Sequence, residues 1–331
     1  MSVLLIGNQA YKGNINCFDN LIDIYGFKPN GYNTLSFSHF KDVRPFNSLI
    51  ISLTLKDIIE KTKQENKQIT LIEPNDSNIN GYLTYLGFYE TCGFDDKKGG
   101  SKSKPGAYIC INKLNFDYGG SQELDYCKLE EQAMHLAKML KFDKELSAYS
   151  EYCFFEMIRN VYEHAQTKEV YVCAQFWPNL QEVEIAIADK GCGINTAMKN
   201  RFFDKTEKER LFLAMKPGIS AMTNHCFFKG NDNYYSNSGY GLYITKELAI
   251  AYGGLFTILS GNHAIRYSEK GILEYKTKYQ GTAIGISFST NTTNNFEKTI
   301  KRIKEKGELE AGEIRGAIKR ASKSSGGMQW F

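Results

Sequence analysis

The sequence predicts an α/β (α+β) protein with a two-layer α/β sandwich in its C-terminal two-thirds and a small α/β domain before it. Three observations predict this division. The first part of the chain alternates short strand and helix patterns, and the second part places two helices before its strands. Between them, residues 97–106 (KKGGSKSKPG) contain no apolar side chain and are typical of a linker. We therefore expect domains at 1–106 and 107–295, followed by a helical tail at 296–331.

The elements of the N-terminal domain follow from hydrophobic periodicity and from residues that end a helix or strand. Residues 34–38 have a strand pattern, and residues 46–63 have the pattern of a helix, or of a strand that runs into one. A short apolar strand at 68–72 ends before a Pro-Asn pair. Residues 79–86 predict a helix that Gly87 can cap.

The second part of the chain predicts a sandwich with helices on one face of a mixed sheet. In its first helix the apolar residues recur at three- and four-residue steps, which gives one apolar face. The order of elements, with helices before strands and one helix among the strands, indicates the two layers. The predicted elements are helices at 122–141, 144–165, 206–215 and 241–252, strands at 169–176, 182–188, 254–260 and 282–289, and one or two further helices at 296–306 and 312–321.

Composition argues against several classes of partner. The 331 residues carry a net charge of +4 without a long block of like charges, so nucleic-acid binding is not expected. The basic residues of the C-terminal stretch alternate with glutamates, which is typical of a solvated amphipathic helix. No stretch approaches the roughly 18 apolar residues of a membrane span, and the first residues lack the basic start of a signal peptide. Eight cysteines without a CxxC pair favour reduced thiols and a cytoplasmic location.

Two clusters of residues carry candidate chemistry in the first half of the predicted sandwich. Glu156 and Asn160 are four residues apart and share one face of a helix, where an amide oxygen can bind Mg²⁺ and a carboxylate can activate a water or hydroxyl. Asp189 ends a buried strand and is followed by Gly191 and Gly193. A carboxylate fixed at a pocket floor can accept a hydrogen bond from an exocyclic amine, as adenine N6 provides. Taken singly, such patterns are more often a solvated helix face and a plain turn after a strand.

Two further clusters lie in the second half. Gly239 and Gly241 lead directly into a helix with Leu242, and the free N–H groups of a helix start bind phosphates. Gly281 and Thr282 form a turn that enters a strand, so the threonine can contact a base or a water held by the aspartate. Alone, the first pattern is weak and the second is an ordinary hairpin exit.

In combination the four clusters resemble the GHKL (Bergerat-fold) ATPases. That superfamily includes gyrase-type topoisomerases, heat-shock chaperones, mismatch-repair ATPases, histidine kinases and anti-sigma-factor serine kinases. The motifs occur in the family order, with an N box similar to Glu156-x-x-x-Asn160, a G1 box similar to Asp189-x-Gly191-x-Gly193, a G2 box similar to Gly239-x-Gly241-Leu242 and a G3 box similar to Gly281-Thr282.

The resemblance implies a sandwich of the Bergerat type that binds ATP with Mg²⁺ under a lid at about 194–238. It implies that Asn160 is the magnesium ligand, that Glu156 is the candidate base and that Asp189 holds the adenine amine. It also implies that Gly191 and Gly193 shape the base pocket. Gly239 and Gly241 then lie at the phosphates with Leu242 behind them, and Gly281 and Thr282 lie by the base.

The residues around the motifs reduce the number of family branches that this sequence can resemble. The helix before the N box contains His135, which is not followed by the acidic residue of a histidine kinase acceptor, and the segment after Gly281 is too short for a transducer domain. The N box, with Glu163 and His164 after the asparagine, looks most like the anti-sigma-factor serine kinases. The N-terminal domain is weakly similar to STAS domains, with Ser48 near the place of their phosphorylatable serine, although a helix cap or turn explains this residue better.

Three functions remain open from the sequence. The first is a Mg-dependent regulatory ATPase switch in which Glu156 activates water. The second is a serine/threonine protein kinase of the anti-sigma type that acts on a STAS-like domain. The third is a non-catalytic module whose assembly depends on the nucleotide. Each would engage a protein partner or form a homodimer.

Overall fold

The computed structural model describes most of the chain. The described residues are 2–7, 17–41, 43–94, 108–116, 122–221 and 238–322. The predicted linker at 97–106 lies outside them, so the division of the chain at this point stays a prediction. None of the helices that the structure describes combines the length and the apolar character that a bilayer crossing would need.

The N-terminal part is a three-stranded parallel sheet with four helices, in the order β1-β2-β3. Leu35 on the central strand is fully buried, and Leu4 on β1 is nearly so. Its elements are β1 (Ser2–Leu5), α1 (Cys17–Gly26), β2 (Tyr32–Ser36), α2 (Pro45–Gln64), β3 (Gln68–Ile72), α3 (Ser77–Leu86) and α4 (Phe88–Cys92).

Local signals explain where these helices begin and end. The Asp76 side chain caps the start of α3 by accepting a hydrogen bond from the Asn78 N–H, and Gly87 ends it in the left-handed conformation, as predicted. The prediction at 46–63 is confirmed as α2, whereas β1 and α1 were not predicted. Ser48 lies in the first turn of α2 with no exposed surface, and its hydroxyl donates to the Val43 carbonyl at 3.0 Å. It is therefore a structural residue of the helix start.

The C-terminal part contains a five-stranded sheet in the order β4-β5-β6-β8-β7. Every neighbouring pair is antiparallel, so the prediction of a mixed sheet was wrong. The reason is that β5–β6 and the long β7–β8 hairpin each connect consecutive strands by short turns, which forces antiparallel pairing. The strands are β4 (Tyr108–Asn115), β5 (Glu169–Trp177), β6 (Glu182–Ala188), β7 (Leu255–Ser268) and β8 (Gly271–Ser289).

Helices cover one face of this sheet, as predicted for the sandwich. Alternate residues of β5, β6 and β8, such as Val172, Ile185 and Ile286, point into a core that they share with the helices. The predicted helices at 122–141 and 144–165 are confirmed within two residues at each end. The helices of this part are α5 (Gln122–Met139), α6 (Lys144–His164), α7 (Gly193–Lys199), α8 (Glu207–Ala214), α9 (Gly241–Ala251) and α10 (Phe296–Glu313).

The N-terminal part covers the opposite face of the five-stranded sheet. The expectation of helices on one face is therefore incomplete, because α1 and α2 lie on the other and share a second core with the sheet. The sheet presents small residues here, including Ala186, Ala188 and Ala283, which let α2 approach closely. At the start of α2, the Phe46 N–H donates to Glu184 Oε1 at 2.9 Å, and Arg44 pairs with Glu182 and Glu184.

The contact between Gly285 of β8 and the Phe46 ring gives a test of this packing. A Cβ atom on Gly285 would lie 2.8 Å from a carbon of the ring. We expect Gly285→Ala to lower the free energy of unfolding by about 1–3 kcal/mol, because the core must shift to admit the methyl group. Chemical denaturation measures the change. Gly26→Ala, where a Cβ atom meets nothing within 4 Å, is the matched control. Equal stability of the two variants would contradict this packing.

The C-terminal residues form one helix and a returning segment. The predicted helix at 312–321 is wrong, because the chain leaves the helical conformation at Ile314 and Gly316 takes a φ of 79°. The amphipathic α10 packs Ile300 and Ile303 against α9 and α6. Residues 314–322, which we call the C-terminal strap, then run back to the region between α8 and α9. The Ile318 N–H donates to the Gly218 carbonyl at 2.8 Å.

Candidate nucleotide site

A cleft lies between α6, the loop after β6 and the start of α9. It has two adjoining compartments that share part of their lining. The residues that line both compartments are Asn160, His164, Ile194, Ala197 and Leu242. The N-box asparagine therefore lies at the junction of the two.

One compartment is mainly apolar, and we call it the apolar compartment. Its walls are Met157, Ile187 and Ile284, together with the residues at the junction. Its polar groups are Asp189 and Thr282. A flat apolar pocket with one carboxylate and one hydroxyl suits a heteroaromatic ring that has an amine on its edge.

Asp189 lies at the end of β6 with only 2% of its surface exposed. The Gly191 N–H donates to its Oδ1 at 2.7 Å. Burial raises the pKa of Asp189 to about 7, although the backbone N–H groups of Gly191 and Thr282 and the charge of Lys190 favour its ionised form. The carboxyl group thus titrates near neutral pH.

The G1-like and G3-like loops are in direct backbone contact. The Asp189 N–H donates to the Thr282 carbonyl at 2.8 Å. Gly281 has a φ of 99°, and a Cβ atom there would lie 2.1 Å from the Asp189 carbonyl oxygen. Only glycine fits both this conformation and this space. Gly193 lies beside the same loop, and its neighbour Ile194 donates its N–H to Ser260 Oγ at 3.0 Å.

The other compartment has apolar side chains in its lining too, but it also has the charged side chains of Glu156 and Arg159, and we therefore call it the polar compartment. Glu156 and Arg159 of α6 line it together with Gly239 and Gly241 at the start of α9. A Cβ atom on Gly241 would lie 2.2 Å from Glu156 Oε2, so glycine lets the carboxylate approach the first turn of the helix. The Nδ2 atom of Asn160 has no hydrogen-bond partner among the described residues, so the fold does not engage this end of its amide.

Glu156 belongs to a buried line of charges along α6. Its Oε1 lies 3.6 Å from a guanidinium nitrogen of Arg159, whose Nε donates to Glu163 at 2.7 Å. Tyr126 of α5 also donates to Glu163, at 2.6 Å. Burial raises the pKa of Glu156, while the charge of Arg159 opposes the shift. Glu156 Oε1 is a buried atom that pairs with Arg159 but makes no hydrogen bond among the described residues.

A comparison with protein families identifies the kind of domain that forms this cleft. Residues 150–288 match the family model described as histidine kinase-, DNA gyrase B-, and HSP90-like ATPase. This part of the chain is a GHKL ATPase domain. The match covers all four motifs, and the domain therefore binds adenine nucleotide. A comparison with curated proteins gives no match for the chain.

The GHKL domain brings eight of the ten predicted site residues to the lining of one cleft, and the other two, Gly191 and Gly281, lie in the loops beside it. The residues of the N box, Glu156 and Asn160, line the polar compartment, and Asn160 also lines the apolar one. Gly239, Gly241 and Leu242 line the polar compartment from α9, whereas Asp189, Gly193 and Thr282 line the apolar compartment. Gly191 and Gly281 hold the loops around Asp189. The individual roles of these residues remain predictions.

The segment predicted to form the lid, about 194–238, is described at residues 194–221 and at 238. Gly218 donates its N–H to the Gly239 carbonyl at 3.1 Å, and Tyr240 donates its hydroxyl to Ile318 of the C-terminal strap at 3.0 Å. The strap therefore contacts Gly218 and Tyr240 next to the polar compartment. Lys216 is exposed and pairs with Glu310 at 3.2 Å, in keeping with a solvated role. Three further polar residues of the predicted lid, Lys229, Asn231 and Asn233, are also close enough in sequence to be candidates for phosphate contact. They lie outside the described residues.

Sequence reasoning did not identify three residues of the cleft or its support. Arg159 was seen only as a residue between the N-box positions, although it lines the polar compartment. His164 was noted only as part of a motif, and it lines both compartments. Tyr126 supports Glu163 from another helix. For Arg159 and His164 the signal was present, since positions three and eight residues after Glu156 lie near its face of a helix.

The pKa of Asp189 predicts how nucleotide affinity changes with pH. If the ionised carboxylate accepts the hydrogen bond from adenine N6, affinity rises as the pH increases through about 7, because the ionised fraction rises there. Below this pH we expect up to about a tenfold loss per pH unit. Calorimetric titration with ATP between pH 6 and pH 8 measures the change. The Asp189→Asn variant is the control, since it keeps only the titration of the nucleotide. Parallel pH profiles for the two proteins would contradict the assignment.

Proposed function

We propose that this protein is a Mg-dependent regulatory ATPase switch in which Glu156 is the general base. The observation that carries the proposal is the position of its carboxylate. Glu156 is 2% exposed, lies against Gly241 at the start of α9 and shares the polar compartment with Asn160. The start of α9 offers free N–H groups for phosphates, which sets the terminal phosphate and its attacking water near this carboxylate.

The surroundings of Glu156 suit proton abstraction. Burial raises the pKa of Glu156, and a carboxylate with a higher pKa accepts a proton from water more readily. The nearby Arg159 charge favours the ionised form that a base needs. Oε1 makes no hydrogen bond among the described residues, and in this proposal a water that enters with the nucleotide would supply one.

The donor set also suits magnesium. Asn160 lies where the two compartments meet, so its amide oxygen would hold a metal ion that accompanies the phosphates. Mg²⁺ takes most of its oxygen ligands from phosphates and water, and one neutral amide is sufficient on the protein side. The metal supplies charge neutralisation to the phosphates. Asn160 would then hold the metal ion in place, and Glu156 would accept the proton of the attacking water.

A labelling experiment separates hydrolysis from kinase activity. The protein is incubated with γ-labelled ATP and Mg²⁺, and both free phosphate and protein-bound label are measured. An ATPase switch releases phosphate and leaves the protein unlabelled. Label on this chain or on an added STAS-like protein, with little free phosphate, would replace the proposal with a kinase. Quantitative recovery of intact ATP would show a non-catalytic module. A protein partner or a homodimer then remains to be sought in the ATP-bound state.

A further inference from the structure

The loops that shape the apolar compartment are held from behind by the N-terminal part of the chain. Lys190 lies between Asp189 and Gly191, but its side chain does not line the cleft among the described residues. It leaves the opposite side of the loop and pairs with Asp57 of α2. The same ammonium group lies 3.5 Å from the Tyr25 hydroxyl of α1 and 5.3 Å from the centre of the Tyr279 ring.

Tyr25 also contacts the second loop. The Gln280 N–H donates to the Tyr25 hydroxyl oxygen at 3.0 Å, directly before Gly281. One tyrosine oxygen thus accepts hydrogen bonds from both loops, through Lys190 on one side and Gln280 on the other. The residues that meet here are far apart in the chain. Lys190 follows Tyr25 by 165 positions, and Gln280 follows it by 255.

We infer that Tyr25 and Asp57 are positioning residues of the nucleotide site. They act through Lys190 and Gln280, which fix the loops that carry Asp189 and Thr282. In this way they determine where the Asp189 carboxylate and the Thr282 hydroxyl lie relative to the amine edge of the purine. The inference rests on the proposed role of Asp189 in holding adenine. It makes the N-terminal part of the chain an integral part of base recognition.

The physical argument is one of preorganisation. Asp189 and Gly281 are in tight backbone contact, so a shift of either loop moves the carboxylate relative to Thr282. A ligand that must itself order these loops binds more weakly than one that finds them in place. The coupling is reciprocal, because whatever changes the position of α1 or α2 changes nucleotide affinity, and nucleotide binding favours the present position of both helices.

The test compares two variants with matched controls in the full chain. Tyr25→Phe removes the shared acceptor, and we expect ATP affinity to fall about 3- to 10-fold. Asp57→Asn removes the partly exposed ion pair, and we expect a loss of about 2- to 5-fold. Tyr32→Phe and Asp23→Asn remove the same groups at exposed positions of the N-terminal part, and they should bind like the wild type. Calorimetry with ATP and with GTP measures all five proteins.

Two readouts distinguish positioning from a general loss of stability. The preference for ATP over GTP should fall in Tyr25→Phe, whereas the rate of hydrolysis at saturating ATP should not change, since Glu156 lies in the other compartment. The exchange of charges in Asp57→Lys with Lys190→Asp should recover affinity that each single change loses. Wild-type affinity and ATP preference in Tyr25→Phe, beside a wild type that binds ATP and an Asp189→Asn variant that binds it more weakly, would overturn this inference alone. A wild type without affinity for ATP would overturn the proposed function as well.

Discussion

The Glu156→Gln variant is expected to bind ATP with nearly wild-type affinity and to release phosphate at least about 100-fold more slowly, the lower end of what a general base contributes. Glutamine keeps the size of the side chain and its place against Gly241, but it cannot accept the proton of the attacking water. The affinity should persist because the cleft has many other lining residues that are left unchanged for the base, the sugar and the phosphates. Single-turnover phosphate release and calorimetry measure the two quantities separately.

The matched control for this change is Glu151→Gln. Glu151 lies on the same helix, is also buried, and its pKa is likewise raised by burial, to about 7. It lines neither compartment of the cleft among the described residues, so its replacement should leave turnover unchanged. Normal hydrolysis by Glu156→Gln would remove this residue from the mechanism. A loss in both variants would trace the defect to α6 and not to the base.

The Arg159→Met variant is expected to lose about 3–5 kcal/mol of its free energy of unfolding, because it leaves two buried carboxylates without their shared cation. Arg159 is 3% exposed, and its guanidinium contacts both Glu156 and Glu163. Methionine has a similar length, so the loss reflects charge more than volume. Denaturant unfolding at pH 7 measures it.

A second change identifies the cause of that loss. Adding Glu156→Gln to Arg159→Met removes one of the two carboxylate charges that Arg159 contacts, and we expect part of the stability to return. The two changes on their own share a network, so their effects should not add. Unfolding of Arg159→Met at the wild-type denaturant concentration would show that the ion pairs contribute nothing net to the fold.

Local patterns predicted most of the sandwich and the residues of its cleft. Glu156 and Asn160 were identifiable because helix geometry places i and i+4 on one face, and Asp189 because a buried strand ends there. The end of α10 was not predictable by periodicity, since the apolar residues Ile314 and Ile318 continue the spacing of a helix. Gly316, with its left-handed conformation, instead turns the chain back towards the lid.

Contacts between distant parts of the chain were beyond the reach of the sequence. Nothing in the pattern around Phe46, which lies at the start of α2, indicates that its ring packs on Gly285 of β8. Similarly, Lys190 reads as a solvated lysine in a turn, although it pairs with Asp57 from 133 positions earlier. Such contacts depend on how complete elements pack, and neither periodicity nor local capping encodes that arrangement.

The burial of both faces of the five-stranded sheet limits how the gene can be divided, both by recombination and in expression trials. A gene fragment that carried only the ATPase part would produce a sheet whose second face, with Tyr171, Cys173 and Leu259, met water directly. Chains with a broad apolar face of this kind stick to one another. Recombination that separated the two halves would therefore yield an insoluble product, and expression trials should keep residues 2–94 attached to the ATPase part.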